Sequence, residues 1–222
     1  MHKSKLILLA LLPLLWYACE DDKGDYLYAN EKPADQNQTQ EETEDYRNTN
    51  RDIWQKPEMI IDLLGDLNDK TVADIGAGTG FFTLRLAQNA GKVIATDIDQ
   101  QYIDSLSQLS LPSDYRGRVE PRLTPPDDPL LKDGEVDAVL IVNTFPLIEN
   151  KEAYLQKLKK GIKPGGKLMI VDFKRKRTPI GPSPNLRLPL YRVEDMFYTV
   201  GFKNIQALDM ALDYQWIIIG EV

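Results

Sequence analysis

The sequence predicts an α/β protein with a doubly wound, mostly parallel sheet of seven strands and an antiparallel hairpin at one edge. From residue 57 onward, short apolar runs alternate with segments in which apolar residues recur at helical spacing. The last two strand-like runs, 203–208 and 214–220, have no helical segment between them, which favours an antiparallel pair. The run 136–142 is almost continuously apolar, as in strands covered by helices on both faces.

Local signals place the elements in chain order. Pro57 suits the first turn of a helix and Gly65 its end, while Gly91 and Gly201 end later helices. Pro121 makes the third strand a poor one, because proline cannot donate to a central ladder. The predicted helices are 57–64, 79–90, 98–109, 151–162 and 191–200; the predicted strands are 71–75, 92–96, 119–123, 136–142, 168–173, 203–208 and 214–220, with a turn at 164–166.

Composition excludes several chemistries. The chain of 222 residues contains one His and one Cys, and these are His2 and Cys19. If the N-terminal segment is processed, the body of the protein has no imidazole and no free thiol. This excludes Ser-His-Asp hydrolysis, a Cys nucleophile, internal disulfides and a zinc site built on His or Cys. We expect no metal site.

The first nineteen residues are typical of a secretory signal of the bacterial lipoprotein type. Lys3 and Lys5 precede twelve residues, 6–17, that are apolar apart from one proline. About 20 apolar residues are needed to span a bilayer, so this run is too short for a transmembrane helix. A small residue precedes Cys19, although Trp16 occupies the position three residues before it, where Leu is usual at lipoprotein processing sites.

We therefore expect a signal peptide over 1–18, a lipidated Cys19, an acidic disordered tether over 19–46 and a single folded domain over 47–222. Lipid chains on Cys19 would hold the protein to a membrane of the cell envelope without a spanning segment. An uncleaved anchor and a simple secreted form remain as alternatives.

The charge of the chain is concentrated in the tether. Residues 20–46 carry a net charge of −8, whereas residues 47–222 carry only −1. The folded domain is therefore nearly neutral, and charge gives no reason to expect a nucleic-acid partner.

A glycine-rich segment at the first strand-to-helix junction is the main functional signal. Gly76, Gly78 and Gly80 follow the strand 71–75 and permit a tight turn with close approach of a ligand. Asp97 ends the next strand, 21 residues after Gly76, where a carboxylate can accept hydrogen bonds from both hydroxyls of a ribose. The spacing indicates a nucleoside-binding unit.

The identity of the nucleoside follows from two further residues. In the dinucleotide pattern G-x-G-x-x-G the sixth position is glycine, whereas here it is Phe81. Asp74 lies two residues before the first glycine, where it would repel a diphosphate but favour the cationic amine of an amino-acid ligand. Both residues favour S-adenosylmethionine over NAD. An NAD-linked reductase and a glycine turn without a ligand are the alternatives.

With these motifs the chain from about residue 51 to its end resembles the class I S-adenosylmethionine-dependent methyltransferases. The resemblance is carried by VADIGAGTGFFT at 72–83, ATDID at 95–99, DAVLIVNTF at 137–145 and LKKGIKPGGKLMIVDF at 158–173. It implies a seven-stranded sheet with the last strand inserted antiparallel. It also implies a cofactor site formed by Asp74, Gly76, Ala77, Gly78, Gly80, Asp97, Ile98, Asp127 and Asn143.

Within that site the resemblance implies a role for each part. The glycine loop would line the methionine portion, Asp97 would bind the ribose, and Asp127 would substitute for a residue that contacts adenine. Asn143 and Thr144 would lie near the transferred methyl group. The related subfamily commonly continues with two histidines, whereas here Pro146 and Leu147 follow Phe145.

The expected catalytic residues are Asn143, Thr144 and Asp172. Because no His is available, a general base would have to be Asp, Glu, Tyr or Lys, and Asp172 ends the fifth strand at the ligand-facing edge. The alternative for Asp172 is a structural hydrogen-bond acceptor. The basic segment 174–177 is either a solvated loop or part of a lid that recruits an anion, and Trp54 either stacks on the cofactor or docks on the core.

The function that these observations predict is methyl transfer to a small-molecule or envelope acceptor. The alternative is a non-catalytic lipoprotein that binds S-adenosylmethionine or another ligand on a methyltransferase fold. Two observations support that alternative: the absent histidines, and an export signal on a protein whose cofactor is made in the cytosol.

Overall fold

The computed structural model describes residues 51–109, 115 and 117–222. All of them belong to one of the two units into which backbone contacts divide the chain. The signal, Cys19 and tether predicted for the N-terminus lie outside the described residues. Among the described helices, none is long and apolar enough to cross a membrane.

The described elements include every predicted helix and strand in the predicted order, together with a short helix before residue 57 that was not predicted. They are α1 (Arg51–Gln55), α2 (Pro57–Leu64), β1 (Thr71–Ile75), α3 (Phe81–Asn89), β2 (Lys92–Asp97), α4 (Gln100–Ser107), β3 (Val119–Leu123), β4 (Val136–Val142), α5 (Lys151–Gly161), β5 (Ile162–Phe173), α6 (Leu190–Val200), β6 (Lys203–Leu208) and β7 (Gln215–Glu221).

The strands form one seven-stranded sheet in the order β3-β2-β1-β4-β5-β7-β6. The first five are parallel, whereas β7 is antiparallel to both β5 and β6. This confirms the predicted fold class, including the antiparallel hairpin at one edge. The strand order reverses between β1 and β4, and ligands of open α/β sheets bind at the carboxyl ends of the strands beside such a reversal.

Two apolar layers cover the sheet. On one face, α2 and α3 pack through Ile60 and Leu86 against strand residues such as Val72. On the other face, α5 and α6 pack through Leu155 and Phe197, again against buried strand residues. Because both faces are covered, the central strands are apolar at successive positions, which is the pattern that the sequence shows in 136–142.

The largest boundary differences from the prediction concern α3, α4 and β5. Helix α3 begins at Phe81, because Gly80 has a φ of +85° and still belongs to the turn. Ile98 precedes α4 and is 64% exposed, so it is not part of that helix. Strand β5 begins at Ile162 and includes the predicted turn 164–166, where its pairing with β4 shifts register. Pro121 is accommodated because β3 lies at the edge of the sheet.

The connection from β3 to β4 contains no helix. Arg122 holds it by donating to the carbonyl of Leu130 at 2.7 Å and to Glu135 at 2.8 Å. Lys157 of α5 donates to the carbonyl of Asp127 at 2.7 Å, and the side chain of Asp127 is exposed. No contact of the described residues joins that side chain to the glycine loop, so its contact with adenine stays a prediction.

Candidate functional site

The glycine loop is fixed to the end of the neighbouring strand. The N–H groups of Gly76 and Ala77 both donate to the carbonyl of Thr96, each at 2.9 Å. The N–H of Gly78 donates to Asp97 Oδ2 at 2.8 Å. Each of these bonds joins the loop after β1 to the end of β2, so the loop and the carboxylate form one rigid unit.

The three glycines have different reasons to be glycine. A Cβ on Gly76 would lie 2.4 Å from Thr144 Oγ1, and a Cβ on Gly80 would lie 2.9 Å from the side chain of Leu106. Gly78 has a φ of +54°, and a Cβ there would meet no atom within 4 Å. The lack of a side chain at Gly76 and Gly80 therefore leaves room for Thr144 and Leu106, whereas Gly78 borders open space.

Asp97 lies at the mouth of this space and is 8% exposed. Its Oδ1 accepts a hydrogen bond from the N–H of Asp99 at 3.0 Å, while Oδ2 accepts from Gly78. Because a carboxylate oxygen can accept more than one hydrogen bond, both oxygens can still accept from a ligand. The adjacent Ile98 presents an exposed apolar side chain beside the carboxylate.

Asp74 lies beneath the loop rather than in the open space. It is 3% exposed, and Thr83 Oγ1 donates to its Oδ2 at 2.6 Å. Burial raises the pKa of Asp74 to about 6, although the hydrogen bond from Thr83 and the charge of Arg51 act in the opposite direction. The described cation near this carboxylate is thus Arg51 of α1, and contact with a ligand amine stays a prediction.

Asn143 and Thr144 lie at the strand reversal, directly after β4. Asn143 has a φ of +57°, a conformation that non-glycine residues rarely adopt and that is often found at functional sites. Its Oδ1 accepts a hydrogen bond from Gln215 Nε2. Thr144 packs against Gly76 and donates from Oγ1 to the carbonyl of Val142 at 3.1 Å. The structure thus brings the predicted methyl-facing residues next to the glycine loop.

Asp172 is enclosed. It is 2% exposed, and its Oδ1 accepts from the N–H of Phe173 at 2.8 Å. Its Oδ2 is buried and has no hydrogen-bond partner among the described residues. Burial raises the pKa of Asp172 to about 7, with Arg187 and Lys151 lowering it in part. In this conformation Asp172 fits the structural alternative better than the role of an exposed base.

Helix α1 and the segment after β5 both pack against Phe173 at the end of β5. Trp54 of α1 lies with its ring centroid 5.7 Å from that of Phe173 and 6.5 Å from that of Tyr214, so it docks on the core. The buried Arg187 donates to several carbonyls of the 174–182 segment and lies 5.1 Å from the Phe173 ring. Residues 175–177 are exposed, whereas Lys174 is buried.

Sequence reasoning missed four of these residues: Arg51, Gln55, Arg187 and Gln215. Gln55 and Gln215 are partners far apart in the chain, and Arg51 and Arg187 bond within segments that the sequence did not mark as structured. No local pattern marks such residues. Their one sequence signal is position, since Gln215 opens an otherwise apolar strand.

Comparison with known proteins agrees with this geometry. Residues 73–170 match the family model described as "Methyltransferase domain". This part of the chain is therefore similar to methyltransferase domains. It includes the glycine loop, Asp97 and the end of β4, and it stops within β5.

The curated relatives are methyltransferases. The chain is 29% identical to phosphoethanolamine N-methyltransferase 1 of Triticum aestivum over 173 residues, which cover 74% of the chain and 33% of the relative. It is 27% identical to a ubiquinone/menaquinone biosynthesis C-methyltransferase of Hydrogenovibrio crunogenus over 131 residues, 58% of the chain and 51% of the relative. The chain thus spans a third to a half of the length of these relatives.

A solved structure shares the fold. The S-adenosylmethionine-dependent methyltransferase of Aquifex aeolicus superposes with a TM-score of 0.71 at 21% identity, covering 85% of the chain and 98% of that protein. The similarity of residues 73–170 to methyltransferase domains indicates S-adenosylmethionine as the cofactor. The residues present fit it, because Asp97 keeps acceptor capacity for ribose hydroxyls and Gly78 leaves room beside it.

Replacing Gly78 with Ala should weaken binding of S-adenosylhomocysteine while the fold survives. The new methyl group would enter the open space, and the left-handed backbone conformation would cost about 1–2 kcal/mol. Isothermal titration and urea unfolding measure the two effects. Gly76→Ala is the matched variant, and it should unfold much more easily because its Cβ meets Thr144. Unchanged affinity in Gly78→Ala would contradict this assignment of the space.

Replacing Asp172 with Asn should stabilise the protein more at pH 8 than at pH 5. The pKa of Asp172 is raised from 3.8 to about 7 in the folded state, so its stabilising contribution is complete below about pH 4 and is lost as pH rises through 7. Asn stays neutral, so the difference in unfolding free energy from the parent should grow by on the order of 2 kcal/mol over this interval. Urea unfolding at both pH values measures it. The exposed Asp133→Asn serves as control, and a pH-independent difference for Asp172→Asn would refute the assignment.

Proposed function

We propose that this protein transfers a methyl group from S-adenosylmethionine to a small-molecule or envelope acceptor. The observation that carries the proposal is the 2.8 Å hydrogen bond from the Gly78 N–H to Asp97, formed beside open space at the reversal of the strand order. The match of residues 73–170 to methyltransferase domains supports it.

The residues of the site divide the work of holding the cofactor. Asp97 would accept from the ribose hydroxyls, Ile98 would cover an apolar face of the base, and the backbone at Gly78 would border the methionine portion. When bound, S-adenosylmethionine would supply a methyl group on a positively charged sulfur. As an acceptor lone pair bonds to the methyl carbon, the carbon–sulfur bond breaks and neutral S-adenosylhomocysteine is the leaving group. Positioning the acceptor in line with that methyl group accounts for much of the catalysis such a site can provide.

The names of the relatives leave the acceptor open. One relative is named for N-methylation of phosphoethanolamine and another for C-methylation in quinone biosynthesis. The part of this chain that aligns with each relative contains the proposed cofactor site, and enzymes with different acceptors can share such a site.

A non-catalytic binding protein is the second candidate. Pro146 and Leu147 occupy the position at which histidines would supply a base, and Leu147 is 78% exposed. Lys151 Nζ donates to the carbonyl of Pro146 at 3.0 Å, which fixes the backbone of this turn. Tight cofactor binding without turnover over a broad acceptor panel would favour this candidate.

The decisive measurement is titration with S-adenosylmethionine and S-adenosylhomocysteine. Wild type should bind both, and Asp97→Asn should lose about 10-fold or more in affinity, because the amide N–H₂ would face a backbone N–H of Gly78 or Asp99. Asp99→Asn is the matched control, since Asp99 caps α4 and Asn caps equally well. Failure of wild type to bind at millimolar ligand would defeat the proposal.

We further propose that lipid on Cys19 anchors the domain to a membrane of the cell envelope, with residues 20–46 as spacer. The basic leader, the short apolar run and the Cys support this placement. Expression in a bacterium with radiolabelled palmitate should give a labelled membrane-bound protein, and Cys19→Ser should abolish the label. A label retained by Cys19→Ser would exclude the proposed anchor, as would an unlabelled wild type.

A further inference from the structure

A line of three buried or half-buried amides connects α1 to the end of β4. Gln55 Nε2 donates to Gln215 Oε1 at 2.9 Å, and Gln215 Nε2 donates to Asn143 Oδ1. Arg51 Nε donates to Gln55 Oε1 at 2.9 Å at the start of this line. Gln55 and Gln215 are both fully buried. We call these four residues the amide relay.

The direction of the amide relay follows from chemistry. A guanidinium can only donate hydrogen bonds, so the atom of Gln55 that faces Arg51 has to be the carbonyl oxygen. The amide nitrogen of Gln55 then faces Gln215, which must present its oxygen and donate from its own nitrogen. Because both glutamines are buried, water is not present to satisfy a reversed arrangement.

The far end of the amide relay is therefore a donor. Oδ1 of Asn143 is occupied by Gln215, which leaves the Nδ2 amino group as the outward part of the side chain. Among the described residues, none accepts a hydrogen bond from this amino group. Asn143 is half-buried at the strand reversal, one residue before Thr144, which contacts the glycine loop. The Nδ2 amino group of Asn143 thus still has both of its N–H groups to donate to a neighbouring acceptor.

This distinction separates two classes of methyl acceptor. A neutral amine nitrogen has a single lone pair, and a hydrogen bond from Asn143 would occupy the pair that must bond to the methyl carbon. An oxyanion has three lone pairs, so one can accept from Asn143 while another attacks. A donor also favours the ionised form of a hydroxyl. An acceptor that arrives ionised needs no protein base, and the one His of the sequence is His2.

We propose that the acceptor is an ionised hydroxyl compound, a phenolate or enolate, and that Asn143 Nδ2 donates to its oxygen. This inference rests on the proposed function. In the transfer, an oxygen lone pair forms the new O–C bond, the carbon–sulfur bond breaks with its electrons remaining on sulfur, and no proton has to be removed from the acceptor.

The first test measures the direction of the amide relay without an acceptor. In full-length protein labelled with ¹⁵N in the side-chain amides of Asn and Gln, the Asn143 resonance is assigned by its loss in Asn143→Asp. Its NH₂ protons should exchange with solvent about 10-fold or more faster than those of Gln55 and Gln215. Protection of the Asn143 protons equal to that of the glutamines would mean a reversed relay and would overturn the proposal.

The second test compares two probes of similar shape, 4-nitrophenol and 4-nitroaniline, in the presence of S-adenosylhomocysteine. Wild type should bind 4-nitrophenolate at least about 10-fold more tightly and raise its phenolate absorbance at fixed pH, because the donor stabilises the anion. Asn143→Asp keeps the bond to Gln215 and tolerates a positive φ, yet turns an oxygen outward, so it should lose this preference. The same change at the exposed helix cap, Asn150→Asp, should keep it.

The outcomes separate this inference from the proposed function. Binding of S-adenosylhomocysteine without a phenolate preference, including binding of neither probe, overturns the inference and leaves the cofactor site standing. Absence of S-adenosylhomocysteine binding defeats the proposed function itself. A phenolate preference that Asn143→Asp removes and Asn150→Asp retains supports the inference.

Discussion

The carboxylate of Asp97 is the interaction on which the arrangement of the site depends. It accepts two backbone N–H groups, one from the glycine loop at Gly78 and one from Asp99 at the start of α4. It thereby fixes the ends of two parallel strands with respect to each other at the point where a ligand would enter. The N–H of Gly78 donates to the same carboxylate that we propose binds the ribose. Hydrogen bonds to an ionised acceptor are among the stronger ones, so this geometry is held before any ligand arrives.

Much of the fold could be predicted from the sequence because its information is local. The apolar run 136–142, the helix-ending Gly201 and the missing helix between the last two strands each specify structure within a few residues of themselves. The predicted boundaries failed where tertiary contacts decide them. Strand β5 includes the predicted turn at 164–166, where Gly165 donates to the carbonyl of Val222 and Gly166 accepts from its N–H.

The site was predictable to the extent that it is built from backbone. The glycine spacing and Asp97 locate the loop, but the direction in which a side chain points depends on neighbours that the sequence does not reveal. The sequence predicts that Asp74 contacts a ligand, yet Asp74 is buried and accepts a hydrogen bond from Thr83 of α3. Asp172, near the end of β5, is buried as well. In both cases, burial raises the pKa of the carboxyl group. A position near the end of a strand therefore does not by itself show that a carboxyl group contacts the substrate.

The amide relay connects the short helix α1 to the end of β4, where we propose that the acceptor binds. Helix α1 has five residues and would not be stable alone, so its position comes from the contacts of Trp54 with Phe173 and of Gln55 with Gln215. Burying polar amides is unfavourable unless each finds a partner, which explains why the relay is ordered in a single direction. The same constraint reaches Asn143, which has a positive φ and accepts the last hydrogen bond of the relay through Oδ1. Under the proposed acceptor chemistry, the group that Asn143 offers to the acceptor is therefore set by Arg51, which lies at the other end of the relay.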